Sequence, residues 1–485
     1  MKRNRKTDLG DFQTPKRLTD RICKHLYLEG FNPDILIEPT CGEGNFVFSA
    51  LNYFPSLKFV YCVELQPKYR NIFFYRLRKL NYTPSIEFHI DNIFTHQFSE
   101  RLTAFLQTSD IQILILGNPP WVTNSEITRL GGVNFPPKSN IKKLKGIDAI
   151  MGKSNFDIAE YIIIYLLQRF SNFKGKIAML CKLSTAVNIL RDIHKLYLNI
   201  SNIQFLLIDS KKEFGISAPG GLFLANLSER GKPICDVRSL YNNERIQKFG
   251  WLNSKFVANF ELYEKYKFLE GNFSLEWRQG VKHNASKILI LKKTKDGLIN
   301  GFGEKVEIEI ECLYPFLKGS QLRRMQIDNT EYFIIITQKH PSDDTSSLVK
   351  YPKLWNYLIS HAKFLDERKS KVFRKRFSIF GIGDYAFKPY KVAISGFYKE
   401  PVFSLIHPIN GKPAILDDTI YYISFDSYEE AENIWNLLNS DEVKNFLQAT
   451  AFINAKRPYT KEILRRIDLP QLDSRYKKGS QLSLL

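Results

Sequence analysis

Asp34-Ile35-Leu36-Ile37-Glu38-Pro39-Thr40-Cys41-Gly42-Glu43-Gly44-Asn45-Phe46 passes from a short apolar run, through a loop with two glycines one residue apart, into a helix-like segment over 45–52. Such a handover is how a buried parallel strand gives way to a helix. The glycines let the chain turn sharply and bring its backbone against a ligand at the carboxyl edge of a sheet. The third glycine of a dinucleotide fingerprint is missing, so a pyrophosphate cofactor is disfavoured. Outward from this stretch, strands are predicted at 58–64, 86–90, 111–116, 175–181, 205–208 and 222–227, with a helix over 158–170. The run 111–116 is nearly all apolar, as expected of a central strand buried on both faces. The alternation predicts an α/β fold, a doubly wound parallel sheet. Further on, this rhythm fails, and the chain becomes aromatic and basic with short β-like runs, as in 373–390. Two domains are expected, residues 1–245 and a mixed α+β domain over 246–485.

The 485 residues carry a formal net charge of +20, with the excess in both halves, and this points to a polyanionic partner contacted by the whole molecule. The longest apolar stretches fall short of the ~20 residues that a membrane helix needs, and the basic N-terminus has no apolar core behind it. The six cysteines are scattered without a Cys-x-x-Cys pair, and the eight histidines show no i, i+4 couple. Neither a disulfide framework nor a metal site is therefore expected, and a reducing cytoplasm fits.

Glu64 closes the second predicted strand, where an acid can accept both hydroxyl hydrogens of a ribose. Asp91 closes the third, in Asp91-Asn92-Ile93-Phe94, where a carboxylate can accept from an adenine amino group. Singly, each acid is as consistent with a solvated strand end. Asn118-Pro119-Pro120-Trp121 follows the fourth strand at the same edge.

This series resembles the S-adenosylmethionine-dependent DNA methyltransferases. Gly10-Asp11-Phe12-Gln13-Thr14-Pro15 is similar to their motif X, Glu38–Phe46 to motif I, and Asn118–Trp121 to motif IV; Glu64 and Asp91 stand at motifs II and III. The order resembles the gamma class of N6-adenine enzymes of restriction–modification systems. Glu38 stands where that family often has Asp, and Trp121 where it often has Tyr. The resemblance implies S-adenosylmethionine as cofactor, held by Thr14, Glu38, Pro39, Cys41, Gly42, Gly44, Asn45, Glu64, Asp91, Asn92, Ile93 and Asn118. It also implies double-stranded DNA as substrate and a target-recognition domain after residue 245. A monomer on DNA, a separately encoded restriction endonuclease and a bacterial or archaeal, nucleoid-associated setting go with it.

The implied chemistry explains the catalytic residues Asn118, Pro119, Pro120 and Trp121. An adenine amino nitrogen is a poor nucleophile because its lone pair is delocalised into the ring. Acceptance of its hydrogens by the Asn118 side chain and the Pro119 carbonyl returns a usable lone pair, and the prolines stiffen the loop. Trp121, with Phe214 as a second aromatic, would stack the target base after its extrusion from the duplex. The segment Lys153-Ser154-Asn155-Phe156-Asp157 is a further candidate pocket wall, with Ser154 read as a helix N-cap. Phosphate contacts are expected from Arg368-Lys369-Ser370-Lys371, from Arg374, Lys375 and Arg376, from Lys456, Arg457 and Tyr459, and from Arg465-Arg466. No Pro-Cys pair occurs, which sets aside cytosine C5 methylation. Cytosine N4 enzymes usually have Ser in place of Asn118 and stay open. So do RNA and protein-glutamine methyltransferases and a non-catalytic DNA-binding module on the same fold. A fused nuclease is not expected, because the motif X-like segment begins at residue 10.

Overall fold

The computed structural model describes residues 13–81, 84–108, 110–122, 157–193, 195–368, 373 and 375–471. Gly10, Asp11, Phe12, residues 153–156, Lys369, Ser370, Lys371 and Arg374 lie outside them. The chain forms two compact units, Met1–Phe260 and Glu261–Leu485.

The first unit opens with α1 (Lys16–Leu28), β1 (Ile35–Glu38), α2 (Asn45–Tyr53), β2 (Phe59–Glu64), α3 (Lys68–Leu77), β3 (Ser85–Ile90), α4 (Glu100–Leu106) and β4 (Ile113–Gly117). It continues with α5 (Ile158–Phe170), β5 (Gly175–Lys182), α6 (Leu183–Ile193), β6 (Ile200–Ile208), α7 (Ser210–Phe214) and β7 (Gly220–Leu227). Strands β8 (Ile234–Ser239), β9 (Arg245–Leu252) and β10 (Lys255–Val257) complete a sheet ordered β10-β9-β8-β6-β7-β5-β4-β1-β2-β3. Every residue of β1, β2 and β4 is buried, which is why these strands read as unbroken apolar runs.

β1 pairs in parallel with both β2 and β4, and the chain winds outward in opposite directions from that pair. Order reverses there, so a crevice forms beyond the carboxyl ends of β1 and β4. Two expectations change. β7 runs antiparallel to β5 and β6, so the sheet is not wholly parallel. The compact unit also ends at Phe260, not at 245, because β8 pairs in parallel with β6 and carries β9 and β10 with it.

The second unit is mixed α+β. One five-stranded sheet is ordered β11-β20-β17-β18-β15, from Arg278–Gln279, Ile420–Phe425, Tyr390–Ser395, Ser404–Ile406 and Gln326–Ile327. The other is ordered β13-β12-β16-β14-β19, from Gly297–Ile299, Ile290–Thr294, Tyr332–Ile335, Leu313–Leu317 and Ile415–Leu416. Phe316, Ile334 and Leu354 lie in the core of the second sheet, and Leu317, Leu405 and Tyr422 are buried about the first.

Candidate active site

The loop after β1 takes its shape from its glycines. Gly42 and Gly44 have φ of +54° and +79°, the left-handed region that side chains disfavour, and Gly44 is the N-cap of α2. The Gly44 N–H donates to Cys41 O at 2.9 Å, and the Cys41 N–H to Val63 O at 3.0 Å, which lays the loop against the end of β2. Glu64 closes the arrangement. Its carboxylate accepts from the Gly42 N–H at 2.8 Å and from the Gln66 N–H at 2.7 Å. These two bonds fix Glu64 against the loop.

Glu38, at the end of β1, is buried, and its Oε2 has no hydrogen-bond partner among the described residues. Burial, with the Glu64 charge acting in the same direction, pushes its carboxyl well above the usual carboxylate range. A buried acceptor beside a glycine loop fits a ligand that brings an ammonium group. Donor atoms of Glu38, Cys41 and Cys62 lie within 4.8 Å of one another, and burial raises both thiols, which keeps them protonated.

The acid at the end of β3 has a partner of its own. Asp91 Oδ2 meets His96 Nδ1 at 2.6 Å, and His96 Nε2 meets the Tyr61 hydroxyl at 2.7 Å. The His96 bond, ahead of the Asn92 N–H bond, holds the Asp91 carboxyl below the usual range. Asn92 Oδ1 accepts from the Phe94 N–H at 3.2 Å, and Ile93 is buried beside it. Asp91 nevertheless keeps an exposed edge, with its side chain 45% accessible.

Thr14 joins the loop between β1 and α2 to the turn after β4. Its carbonyl accepts from Asn45 Nδ2 at 2.9 Å, and its hydroxyl accepts from Asn118 Nδ2 at 3.2 Å. Gln13 Oε1 accepts from the Glu43 N–H at 3.0 Å, while Arg76 donates to Glu43 O and Asn45 Oδ1, both at 2.8 Å. With Nδ2 directed at Thr14, Oδ1 is the acceptor end of the Asn118 amide. Pro39 packs against the end of β4, since a Cβ on Gly117 would stand 3.4 Å from its Cδ.

Trp121 is buried. Its Nε1–H donates to Leu180 O at 3.3 Å, and its ring meets Phe214 edge to face with centroids 5.4 Å apart. Glycine at 220 admits the indole, because a Cβ there would lie 2.4 Å from Trp121 and 2.8 Å from Ser210 Oγ. The structure thus brings Trp121 and Phe214 together, but edge to face and not as two parallel faces.

Three neighbours escaped the sequence or were misplaced in it. Asp157, not Ser154, caps α5, accepting from the Ala159 N–H at 3.0 Å. The adjacent Ile158 N–H donates to Val122 O at 2.9 Å, which places Asp157 beside the turn after β4. Lys182 Nζ stands 3.5 Å from Asp157 Oδ2, yet burial still pushes the Asp157 carboxyl up to about 6. Ser210 Oγ is buried without a hydrogen-bond partner among the described residues, one helical turn before Phe214. Lys182 and Ser210 carry no signal in the sequence beyond a position at a strand end and a helix start.

Most of these basic side chains of the second unit are engaged within it, by backbone carbonyls or by carboxylates. Arg368 donates to the carbonyls of Leu365, Ser378 and His283. Lys375 Nζ donates to Ser342 O and Asp343 O, Arg376 forms a bidentate pair with Asp366, and Arg466 does so with Glu270. Arg457 donates to Asp418 O at 3.3 Å. Tyr459 is a correction: it is fully buried, its hydroxyl donating to Lys399 O at 2.7 Å, so it belongs to the core and presents no face to DNA. Irregular loops leave carbonyls that a multi-donor cation satisfies, and a sequence shows only the cation. Lys456 and Arg465 are exposed.

With β7 running against its neighbours, the sheet is that of the Rossmann-like methyltransferases, and its crevice lies at the ends of β1 and β4. No protein-family model matches the chain. Over 474 residues it is 38% identical to Type II methyltransferase M.NspV of Nostoc sp., covering 96% of this chain and 97% of that protein. The chain belongs to the type II methyltransferases, modification enzymes of restriction–modification systems, and its methyl donor is S-adenosylmethionine. Solved structures similar to parts of it include a dimethyladenosine transferase from Plasmodium falciparum (13% identical, 44% of this chain and 62% of that one, TM-score 0.27). Another is TrmK of M. capricolum with S-adenosylhomocysteine (11% identical, 43% and 68%, TM-score 0.23). Neither score is high enough to bear on substrate. Among the described residues no helix is long and apolar enough to cross a membrane.

Proposed function

We propose that the chain methylates N6 of a flipped-out adenine at a fixed sequence in double-stranded DNA, as the modification partner of a separately encoded endonuclease. The observation that carries the reading is the orientation of Asn118. Its Nδ2 is directed at Thr14, so Oδ1 is presented as an acceptor at the carboxyl end of β4.

S-adenosylmethionine, when bound, supplies an electrophilic methyl group on a sulfonium. Glu38 would take its ammonium group, the Gly42–Gly44 backbone would line it, and Glu64 and Asp91 would take its ribose hydroxyls and adenine amino group. Asn92 and Ile93 would wall the adenine ring. Asn118 Oδ1 and the Pro119 carbonyl accept the two hydrogens of the target amino group, which moves nitrogen toward tetrahedral geometry and restores its lone pair. Holding that nitrogen in line with the methyl group is the main contribution to rate. The methylated nitrogen bears a positive charge and loses its proton to solvent, so no side-chain base is required. Phe214, half-buried and in contact with Trp121, would take the base face. The second unit reads the target sequence, and the enzyme acts as a monomer. Asn118, in the place where cytosine N4 enzymes usually have Ser, favours adenine.

Expression in a host lacking adenine methylation, followed by modification-sensitive genome sequencing, tests this. N6-methyladenine at one fixed motif is expected. N4-methylcytosine at a fixed motif overturns the base assignment, and unmodified DNA with methylated RNA overturns the reading altogether.

A further inference from the structure

The second unit holds a half-open cavity of about 230 Å³ that methyl transfer does not use. Val281, Ile290 and Phe316 form its apolar walls, and its polar lining holds two lysines, Lys282 and Lys318, and two acids, Asp417 and Asp418, beside His283, Asn284 and Ser286. Two of the cations expected to meet phosphate instead hold its walls. Arg368 donates to His283 O at 3.1 Å, and Arg457 donates to Asp418 O, which also accepts from Gln279 Nε2 at 2.6 Å. The Val281 N–H donates to Leu416 O at 2.7 Å, the Asp417 N–H to Leu317 O at 3.0 Å, and Thr419 Oγ1 to Asp417 Oδ2 at 3.1 Å. The Ala285 N–H donates to His283 Nδ1, which makes Nε2 the protonated nitrogen of a buried, neutral ring. Lys318 Nζ is seated 3.5 Å above the Tyr332 ring. Walls braced this way are preorganised, as a recognition site requires.

The polar groups sort by role. Asp417 and Asp418 are adjacent acids, and burial, with the neighbouring Asp418 charge, pushes the Asp417 carboxyl up to about 6; an ionised carboxylate only accepts, and the Lys318 ammonium only donates. In a protein of net charge +20 that binds a polyanion, paired carboxylates are repelled by phosphates, so a base edge is their natural ligand. Among the major-groove edges only cytosine shows an amino group with no acceptor beside it. Adenine sets N7 next to N6, thymine shows O4, and guanine shows O6 and N7. The guanine opposite that cytosine offers two acceptors to an ammonium.

We propose that this cavity reads a C·G pair of the recognition sequence, with Asp417 or Asp418 accepting from cytosine N4 and Lys318 donating to guanine N7. This rests on the double-stranded DNA substrate proposed above.

The test measures methylation rates on duplexes carrying the genomic motif and on duplexes with each C·G pair replaced in turn. Wild type and the Asp417→Asn, Asp418→Asn and Lys318→Met variants are compared. Wild type is expected to discriminate about 10-fold or more at one C·G position. One carboxamide variant is expected to lose that preference there and accept A·T, because an amide offers the acceptor and donor that adenine needs. Lys318→Met should weaken the same position only. Thermal melting and S-adenosylmethionine binding by calorimetry confirm that each variant is folded. If the variants do not melt cooperatively, wild type is assayed on duplexes with 7-deazaguanine at each C·G pair, and a severalfold loss at one pair is expected. A motif without a C·G pair, discrimination unchanged in every variant, a uniform loss across sequences, or no effect of 7-deazaguanine at any pair overturns the proposal. Wild-type protein that methylates no DNA fails the underlying reading instead.

Discussion

Burial favours the protonated form of Glu38, and its Oε2 has no donor among the described residues. Cofactor binding at neutral pH is therefore expected to release a proton. Calorimetry in buffers of different ionisation enthalpy would show it, and Glu38→Gln should bind about tenfold more weakly with no buffer dependence. The same dependence in Glu38→Gln would place the proton elsewhere. Asp157 gives a second pH effect. Its folded carboxyl titrates near 6 against an ordinary 3.8, with burial as the largest cause, so the folded state binds its proton more tightly than the unfolded chain. That contribution to stability is complete below about pH 4 and is lost as pH rises through 6, at most about 3 kcal/mol. Denaturant titrations from pH 4 to 7 should show this slope in wild type and not in Asp157→Asn. Parallel curves would mean that Lys182 compensates fully.

At the level of elements, the β1–α2 turn ranks its two glycines. A Cβ on Gly44 would stand 2.4 Å from the buried ring of Phe73, whereas one on Gly42 meets the end of the Gln13 side chain at 2.5 Å. A side-chain end can rotate away and a packed ring cannot. Gly44→Ala is expected to destabilise by about 2–4 kcal/mol, from left-handed backbone plus overpacking, and Gly42→Ala by about 1–2 kcal/mol. Chemical denaturation checks the order, and equal losses would mean that Phe73 gives way. The strands around this turn were legible for a physical reason. β1, β2 and β4 are buried on both faces and read as apolar runs, and the helix over 158–170 was read to the residue. The antiparallel course of β7 was not legible, since direction depends on how the chain returns and not on composition. Arg245–Leu252 escaped as well, because only Phe249 and Gly250 are buried, its one early apolar residue, Ile246, is exposed, and Arg245, Gln247 and Lys248 around it are polar. Within the site, residue types at strand ends were readable. What each side chain bonds to was not: the Thr14–Asn118 link spans more than a hundred positions.

Over the whole molecule, a charge of +20 predicts how tightly DNA binding follows ionic strength. Counterion release should give a plot of log affinity against log salt with a slope of about −5 or steeper, measured by anisotropy on a non-cognate duplex. S-adenosylmethionine affinity should stay nearly flat over the same range. A shallow slope would mean that the exposed lysines and arginines lie away from the phosphate track. The paired and carbonyl-bound cations, such as Arg376 and Arg368, are not expected to contribute to it.

Thr14 holds two loops with one residue, and this has a thermodynamic consequence. A group that touches the Gly44–Asn45 turn through its carbonyl and the Asn118 amide through its hydroxyl is positioned to couple the proposed donor and acceptor sites. Any such coupling is reciprocal: the factor by which S-adenosylhomocysteine tightens a cognate duplex must equal the factor by which the duplex tightens S-adenosylhomocysteine. A factor of about five or more is expected for the wild type, collapsing toward one in Thr14→Val while each ligand still binds alone. If Thr14→Val keeps the full factor, the two ligands sense each other by another route. If it does not, a single hydroxyl makes the enzyme hold its DNA best once the methyl donor is in place.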